Sequence, residues 1–124
     1  MKVSLPIAFA LLALASPAQS QDSDFNLTYH VERTPSAQLS LATCGNAVAR
    51  MARQFRISVD MQSFPGQLVI VKGGRAGAGA FVVQCIAVGN TTVSVVQGID
   101  YRAQKGALGL FADRAFAAVK AAIK

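Results

Sequence analysis

Apolar and polar residues alternate near the start of the chain, from Phe25 to Glu32. A period of two is typical of a β-strand that turns one face to a core and the other to solvent. We therefore predict a strand whose apolar members are buried. These are Phe25, Leu27, Tyr29 and Val31, and the members expected to face outward are Asn26, Thr28, His30 and Glu32.

The spacing of apolar residues changes to three or four between Pro35 and Phe55, which predicts an amphipathic helix. Thr34 is a suitable N-cap for this helix, and proline is favoured at the first helical position. The predicted buried stripe consists of Leu41, Cys44, Val48, Met51, Ala52 and Phe55. Cys44 should therefore face the core.

Four further strands and a second helix complete the pattern. The strands are predicted in RISVDMQ, LVIVK, AFVVQCIAV and TTVSVVQGI, separated by a Pro65–Gly66 turn, the stretch GGRAGAG and a Gly89–Asn90 turn. The second helix lies in the segment that ends in LFADRAFAAVKAAIK. Its predicted buried stripe consists of Leu108, Phe111, Ala112, Ala115, Val119 and Ala122.

The order of elements is β-α-β-β-β-β-α, which predicts the α+β class. Short connections make the last four strands an antiparallel meander, and two one-faced helices must cover the same side of the sheet. We predict a two-layer sandwich: a five-stranded, mainly antiparallel sheet with two helices packed on one face. This order resembles that of one half of the TATA-binding protein and, more loosely, the helix-grip folds. The resemblance concerns topology alone and implies no function.

The N-terminus carries one basic residue, Lys2, followed by a short apolar run and the small residues AQS. This layout is typical of a secretory signal peptide, and the run is shorter than the ~20 residues that span a bilayer. We predict a signal peptide at residues 1–20 and a single domain at 21–124. The domain should be exported to the bacterial periplasm or secreted, without spanning a membrane. Loss of Lys2 with the peptide changes the net charge from +6 to +5.

The two cysteines, Cys44 and Cys85, should face each other if the helices cover the side of the sheet that carries Cys85. In an exported chain such a pair favours a structural disulfide. Two alternatives stay open: a pair of buried free thiols, or a redox-active pair, although catalytic dithiols usually lie close together as C-x-x-C. Gly45 is explained if the bridged helix approaches the sheet closely.

No catalytic signature is found in the sequence, and we predict a non-catalytic binding module without a cofactor or metal. The stretch GGRAGAG lacks the G-K-[ST] of a phosphate-binding loop and precedes a strand. His30 is expected to face solvent beside Glu32, and Asp60 and Asp100 are isolated in the sequence. The alternative is an enzyme or an enzyme inhibitor whose site is formed by GGRAGAG and DYRAQKGALG.

Basic residues on the outward sides of both helices predict a positive surface. The residues that could bind an anion there are Arg50, Arg53, Lys120 and Lys124. Such a surface suits an acidic protein or an anionic polymer. Nucleic acid is not expected, because no aromatic residues are interleaved with the charges and no nucleic-acid motif is present.

The uncovered side of the sheet is predicted to carry an apolar strip. Its members are Val82, Ile86, Val88 and Val96, with either Leu68 and Ile70 or Val69 and Val71. An antiparallel sheet covered on one side normally shows polar residues on the other, so such a strip indicates a contact surface. A homodimer through this face, or a partner protein or apolar ligand, would occupy it. Two alternatives stay open: the strip is incidental surface, or DYRAQKGALG covers it.

Overall fold

A computed structural model describes residues 24–124, and these form one sheet and two helices. The elements, in chain order, are β1 (Asn26–Pro35), α1 (Leu41–Gln54), β2 (Ser58–Phe64), β3 (Leu68–Arg75), β4 (Gly79–Val88), β5 (Thr91–Asp100) and α2 (Ala107–Ala121). The predicted α+β class and the predicted order of elements are confirmed. The predicted signal peptide, 1–20, lies outside the described residues.

All neighbouring strands of the sheet are antiparallel, and their spatial order is β1-β5-β4-β3-β2. The strands β2 to β5 form the predicted meander. β1 adds to the free edge of β5, so β1 and β2 are the two edge strands. The segment that contains α1 therefore crosses from one edge of the sheet to the other.

Both helices pack on the same face of the sheet, which we call the covered face. α1 contacts β2, β3 and β4, while α2 contacts mainly β5 and β1. The predicted stripes supply the helical part of the core, and alternate residues of the central strands supply the rest. The largest apolar side chains of the core are Phe111, Leu39, Leu108, Val48, Val71, Val83, Val96 and Val119. Among the described residues, neither helix combines the length and apolar character that crossing a bilayer requires.

The helix α1 begins later than the sequence predicted. Ser40 is its N-cap, and the Ser40 side chain accepts a hydrogen bond from the backbone N–H of Thr43 at 3.0 Å. Thr34 and Pro35 instead extend β1, opposite Thr92 and Thr91 of β5. The prediction is wrong here because the local capping signal of Thr34 competes with strand pairing, which the sequence pattern does not reveal.

The orientation of β1 is opposite to the predicted one. Apart from Arg33, its polar residues lie on the covered face, towards α2, and its apolar residues lie on the other face. The exposed apolar side chains are Phe25 (57%), Leu27 (46%), Tyr29 (64%) and Val31 (47%). The prediction is wrong because alternation shows which residues share a face, but not which face the helices cover.

A disulfide joins Cys44 of α1 to Cys85 of β4, with their Cα atoms 6.2 Å apart. Both half-cystines are fully buried, and the hydroxyl of Ser94 donates a hydrogen bond to the Cys44 sulfur at 3.4 Å. Gly45 lies where the helix comes closest to β3, because a Cβ atom there would stand 2.5 Å from a methyl group of Val69. The predicted bridge and the predicted close approach at Gly45 are both confirmed.

Candidate binding surface

The face of the sheet opposite the helices, which we call the open face, is largely apolar on β1, β5, β4 and the first half of β3, whereas the edge strand β2 is mainly polar there. The register of the strands defines its members. The apolar residues on it are Leu27, Tyr29 and Val31 of β1, Val93, Val95 and Ile99 of β5, Val82, Ile86 and Val88 of β4, Leu68 and Ile70 of β3, and Phe64 of β2. Such a face is unusual for an antiparallel sheet in contact with water.

Three of the four predicted strip residues, Val82, Ile86 and Val88, lie on the open face. Val96 does not: it is fully buried on the covered face, opposite Val83. Of the two pairs that the sequence left open on β3, Leu68 and Ile70 are the pair on the open face. Their neighbours Val69 and Val71 belong to the core.

The prediction for Val96 is wrong although the sequence contained a signal for its placement. The Gly89–Asn90 turn is a two-residue hairpin loop, which sets Val88 opposite Thr91. Pairing outward from that turn places Val96 opposite Val83, and directly opposed residues share a face. The sequence contains no such signal for the orientation of β1, because β1 pairs with β5 and no hairpin turn connects these two strands.

Few charged groups interrupt the open face. Asp60 of β2 and Lys72 of β3 are directly opposed across the two strands, and Arg33 lies on the edge strand β1. Beside the Asp60–Lys72 pair is a shallow depression of about 430 Å³, which Ser58, Ala80 and Val82 also line. The small residues there leave the depression open, so this is the least flat part of the face.

Amide side chains occupy the middle of the open face. Gln84 lies on the central strand β4, and Gln97 lies on the adjacent strand β5, opposite Val82. Gln62 of β2 is opposite Ile70. These amides can donate and accept hydrogen bonds, and they are surrounded by aliphatic side chains.

The four predicted anion-binding residues are exposed and lie on the two helices or just after α2. Arg50 lines a groove between the two helices with Met51, while Arg53 is in the last turn of α1. The Lys120 ammonium lies 5.2 Å from the centre of the Phe116 ring. Lys124 follows the end of α2, where its backbone N–H donates to the Gln38 carbonyl. Anion binding by this layer stays a prediction.

His30, expected to face solvent, instead contacts α2. Its ring stacks on that of Phe116, with 4.5 Å between the centroids and 8° between the planes. Its Nε2 is 2.9 Å from the Asp113 carboxylate, which Lys105 also contacts. These hydrogen bonds, first from Lys105 and then from His30, hold the pKa of Asp113 below its usual value. The group attaches the edge strand β1 to α2.

Asp100 is a buried carboxylate whose role the sequence pattern does not predict. It is 1% exposed and accepts hydrogen bonds from the backbone N–H groups of Gly106, Leu108 and Gly109, at 2.7, 2.9 and 2.9 Å. The N-cap of α2, Gly106, has no side chain to cap the helix. Asp100 therefore performs this function from the end of β5, six residues earlier in the chain.

The two loops proposed as an alternative catalytic site lie next to each other. The backbone N–H of Tyr101 donates to the carbonyl of Ala78 in the β3–β4 turn. Two polar groups of these loops are already engaged: Arg75 donates to the Phe55 carbonyl at 2.8 Å, and Asp100 caps α2. Within residues 24–124, no three side chains of the His, Cys, Asp and Glu types are grouped to hold a metal ion.

Residues 24–124 match the model of the protein family DUF6180, which is described as a family of unknown function. The matched range begins where the structural description begins and includes both cysteines and every strand and helix. No curated protein matches the chain.

Proposed function

The chain belongs to the DUF6180 family of unknown function. We propose that this protein is a small exported binding module, which acts through its open face without catalysing a reaction. The observation that carries this proposal is the largely apolar character of the open face on β1, β5, β4 and the first half of β3. An uncovered sheet face of this kind exposes apolar area to water at a cost of roughly 25 cal/mol per Å². Contact with a partner removes that cost.

The orientation of β1 strengthens the argument. A strand with one apolar and one polar side normally buries the apolar side. Here the apolar side of β1 is on the open face, and the polar side is accommodated by contacts with α2 such as His30 to Asp113. The fold thus places further apolar side chains on the open face and polar ones against α2.

Export is supported by the disulfide and by the signal-like N-terminus. Disulfides persist in oxidising compartments such as the bacterial periplasm and are rare in the cytosol. The Cys44–Cys85 bridge crosses between the two layers in the middle of the core. An oxidising compartment is therefore the setting that suits this architecture.

A role in binding rather than catalysis is supported by what the acid–base side chains already do. Asp100 is buried and accepts three backbone hydrogen bonds, and Asp113 is shared between Lys105 and His30. His30 is held against Phe116. Each of these groups serves to join a helix to the sheet, which leaves the open face as the surface suited to a partner.

The test is the size of the protein in an extract of the native cell envelope, measured by gel filtration and detected with an antibody. We expect the wild-type chain to elute as a complex heavier than its monomer. Ile86→Lys places a charge in the middle of the open face, and we expect this variant to elute as a monomer. Leu110→Lys is the matched control, because Leu110 is an exposed apolar residue of α2, 47% accessible. A wild-type monomer, or a complex lost equally in both variants, would contradict the proposal.

A further inference from the structure

We propose that the occupant of the open face is a second copy of this chain, so that two sheets pack face to face around a two-fold axis. This inference rests on the proposed function and names the partner. Two sheets packed in this way would form a four-layer molecule, with helices outside and the two sheets inside. The strands of the two sheets would cross at about 30°, as in aligned sheet packings.

The size of the open face is sufficient for a stable dimer. Five strands spaced by about 4.8 Å give a width of about 24 Å, and about eight paired residues at 3.3 Å each give a length near 27 Å. The face therefore offers roughly 650 Å² per protomer, or about 1,300 Å² in total. Stable specific interfaces bury about 1,200–2,000 Å² in total.

The distribution of charge favours contact through the sheets. The open face carries Arg33, Lys72 and Asp60, and the last two are opposed across neighbouring strands. Most of the +6 charge of the chain lies elsewhere. With sheets about 10 Å apart and helices about 10 Å behind each sheet, the two basic helical layers would be about 30 Å apart. That distance exceeds the Debye length of about 8 Å at physiological salt, so their repulsion is screened.

The amides at the centre of the face suit a copy of the same surface. Gln84 lies on the central strand, and Gln97 lies diagonally beside it on β5. Near a two-fold axis, each amide would meet amides from the other copy, and a primary amide is both a donor and an acceptor. An apolar small molecule would leave these groups buried without partners, at a cost of about 1–3 kcal/mol each. The depression beside Asp60 and Lys72 is large enough for a small ligand but shallow, whereas ligand pockets enclose most of the surface of the molecule they hold.

The experiment is sedimentation equilibrium of the purified, disulfide-bonded protein alone, at concentrations from about 1 to 200 µM. We expect twice the monomer mass for the wild type. Ile86→Lys should raise the dissociation constant of the dimer at least about a hundredfold, because a buried charge without a partner opposes association. Leu110→Lys, on the opposite side of the molecule, should change it less than about threefold.

A second variant distinguishes loss of the dimer interface from loss of the monomer fold. Val31 is 47% exposed on the edge strand β1, so Val31→Lys leaves the monomer intact with its ammonium in water. It should weaken the dimer at least about tenfold while its circular dichroism spectrum and unfolding midpoint stay close to those of the wild type. A dimer that persists in both Val31→Lys and Ile86→Lys would overturn the inference.

The two proposals fail in different ways. In one outcome, the pure wild-type protein is monomeric at about 200 µM but elutes from the envelope extract as a complex that Ile86→Lys disrupts. This result would overturn the proposed homodimer and support a binding module with a different partner. A wild-type protein that is monomeric both when pure and in the extract overturns both.

Discussion

The two faces of the sheet divide the polar and apolar residues in an unexpected way. The covered face holds the buried polar side chains, which are Thr34, Thr92, Ser94 and Asp100. Three of them have partners within the fold: Thr92 donates to the Leu39 carbonyl, Ser94 to the Cys44 sulfur, and Asp100 accepts from α2. Among the described residues, only the Thr34 hydroxyl is buried without one. The open face is mostly aliphatic.

This difference shows that burial in the monomer and hydrophobicity are separate properties of a strand residue. A polar group can be buried where the opposite layer provides a hydrogen-bond partner, as α2 does for Asp100. An apolar group can remain exposed where the completed molecule has another surface to cover it. The covered face is therefore specified by contacts within the chain, and the open face is suited to contacts between chains.

The largest expected effect concerns the disulfide, which crosses the covered face. Replacing both Cys44 and Cys85 by alanine removes a bridge with a sequence separation of 41. The chain entropy released in the unfolded state corresponds to about 4 kcal/mol. We expect the free energy of unfolding in urea to fall by about this amount. A loss below about 1 kcal/mol would show that the attachment of α1 does not depend on the bridge.

The next largest effect is expected when carboxylates on opposite faces of the sheet, Asp100 and Asp60, are each replaced by alanine. Asp100→Ala leaves the backbone N–H groups of Gly106, Leu108 and Gly109 without their acceptor, and we expect a loss of about 3 kcal/mol. Asp60→Ala on the open face should change the free energy of unfolding by less than about 0.5 kcal/mol. Urea titrations of both variants test this, and equal losses would contradict the assignment of Asp100 as the cap of α2.

Two adjacent valines give the closest matched comparison of the faces. Val83 is fully buried on the covered face, and Val82 lies on the open face. In a Val31→Lys background, at a protein concentration where sedimentation shows a monomer, Val83→Thr should destabilise by about 2 kcal/mol because it buries a hydroxyl in the core. Val82→Thr should cost less than about 0.5 kcal/mol. If the two variants lose similar amounts of unfolding free energy in the monomer, the assignment of Val82 to a face in contact with solvent is contradicted.

The smallest effect is the pH dependence from Asp113. Its pKa is lowered from 3.8 by hydrogen bonds with Lys105 and His30, so it stabilises the fold above its unfolded-state pKa. That contribution is lost as the pH falls through the lower folded-state pKa. The side chain is 36% exposed, so solvent screening limits the contribution to less than about 1 kcal/mol. Comparing Asp113→Asn with the wild type by urea unfolding between pH 6 and 2.5 should reveal this difference.

The sequence predicts the architecture well because the architecture depends on local periodicity. The order of elements and the stripes of both helices follow from residue spacing. The pairing of Cys44 with Cys85 follows from their facing positions in two elements that must pack together. The presence of glycine at position 45 is also predictable, since a helix that is disulfide-bonded to the sheet must approach it closely. Each of these predictions uses information from within one element or from two elements that must pack together.

The errors concern relations between elements that are distant in the chain. The orientation of β1 depends on its pairing with β5, whose residues are far away in the sequence. The capping of α2 by Asp100 depends on the conformation of the intervening loop. Val96 is different, since its position follows from the hairpin at Gly89–Asn90 once opposed residues are paired from that turn. The extent of the open face was therefore underestimated mainly because β1 was assigned the wrong orientation.

The position of β1 beside β5 also determines the order in which the molecule can be completed. During synthesis the first strand emerges before any other, but its register runs from Asn26 opposite Asp100 to Pro35 opposite Thr91. It cannot pair, and Leu27, Tyr29 and Val31 stay uncovered, until β5 is available as its neighbour. The segment from Cys44 to Cys85 lies entirely before β5 in the chain. The middle of the chain is thus able to assemble first, and the N-terminal strand can join the sheet only after β5 is in place.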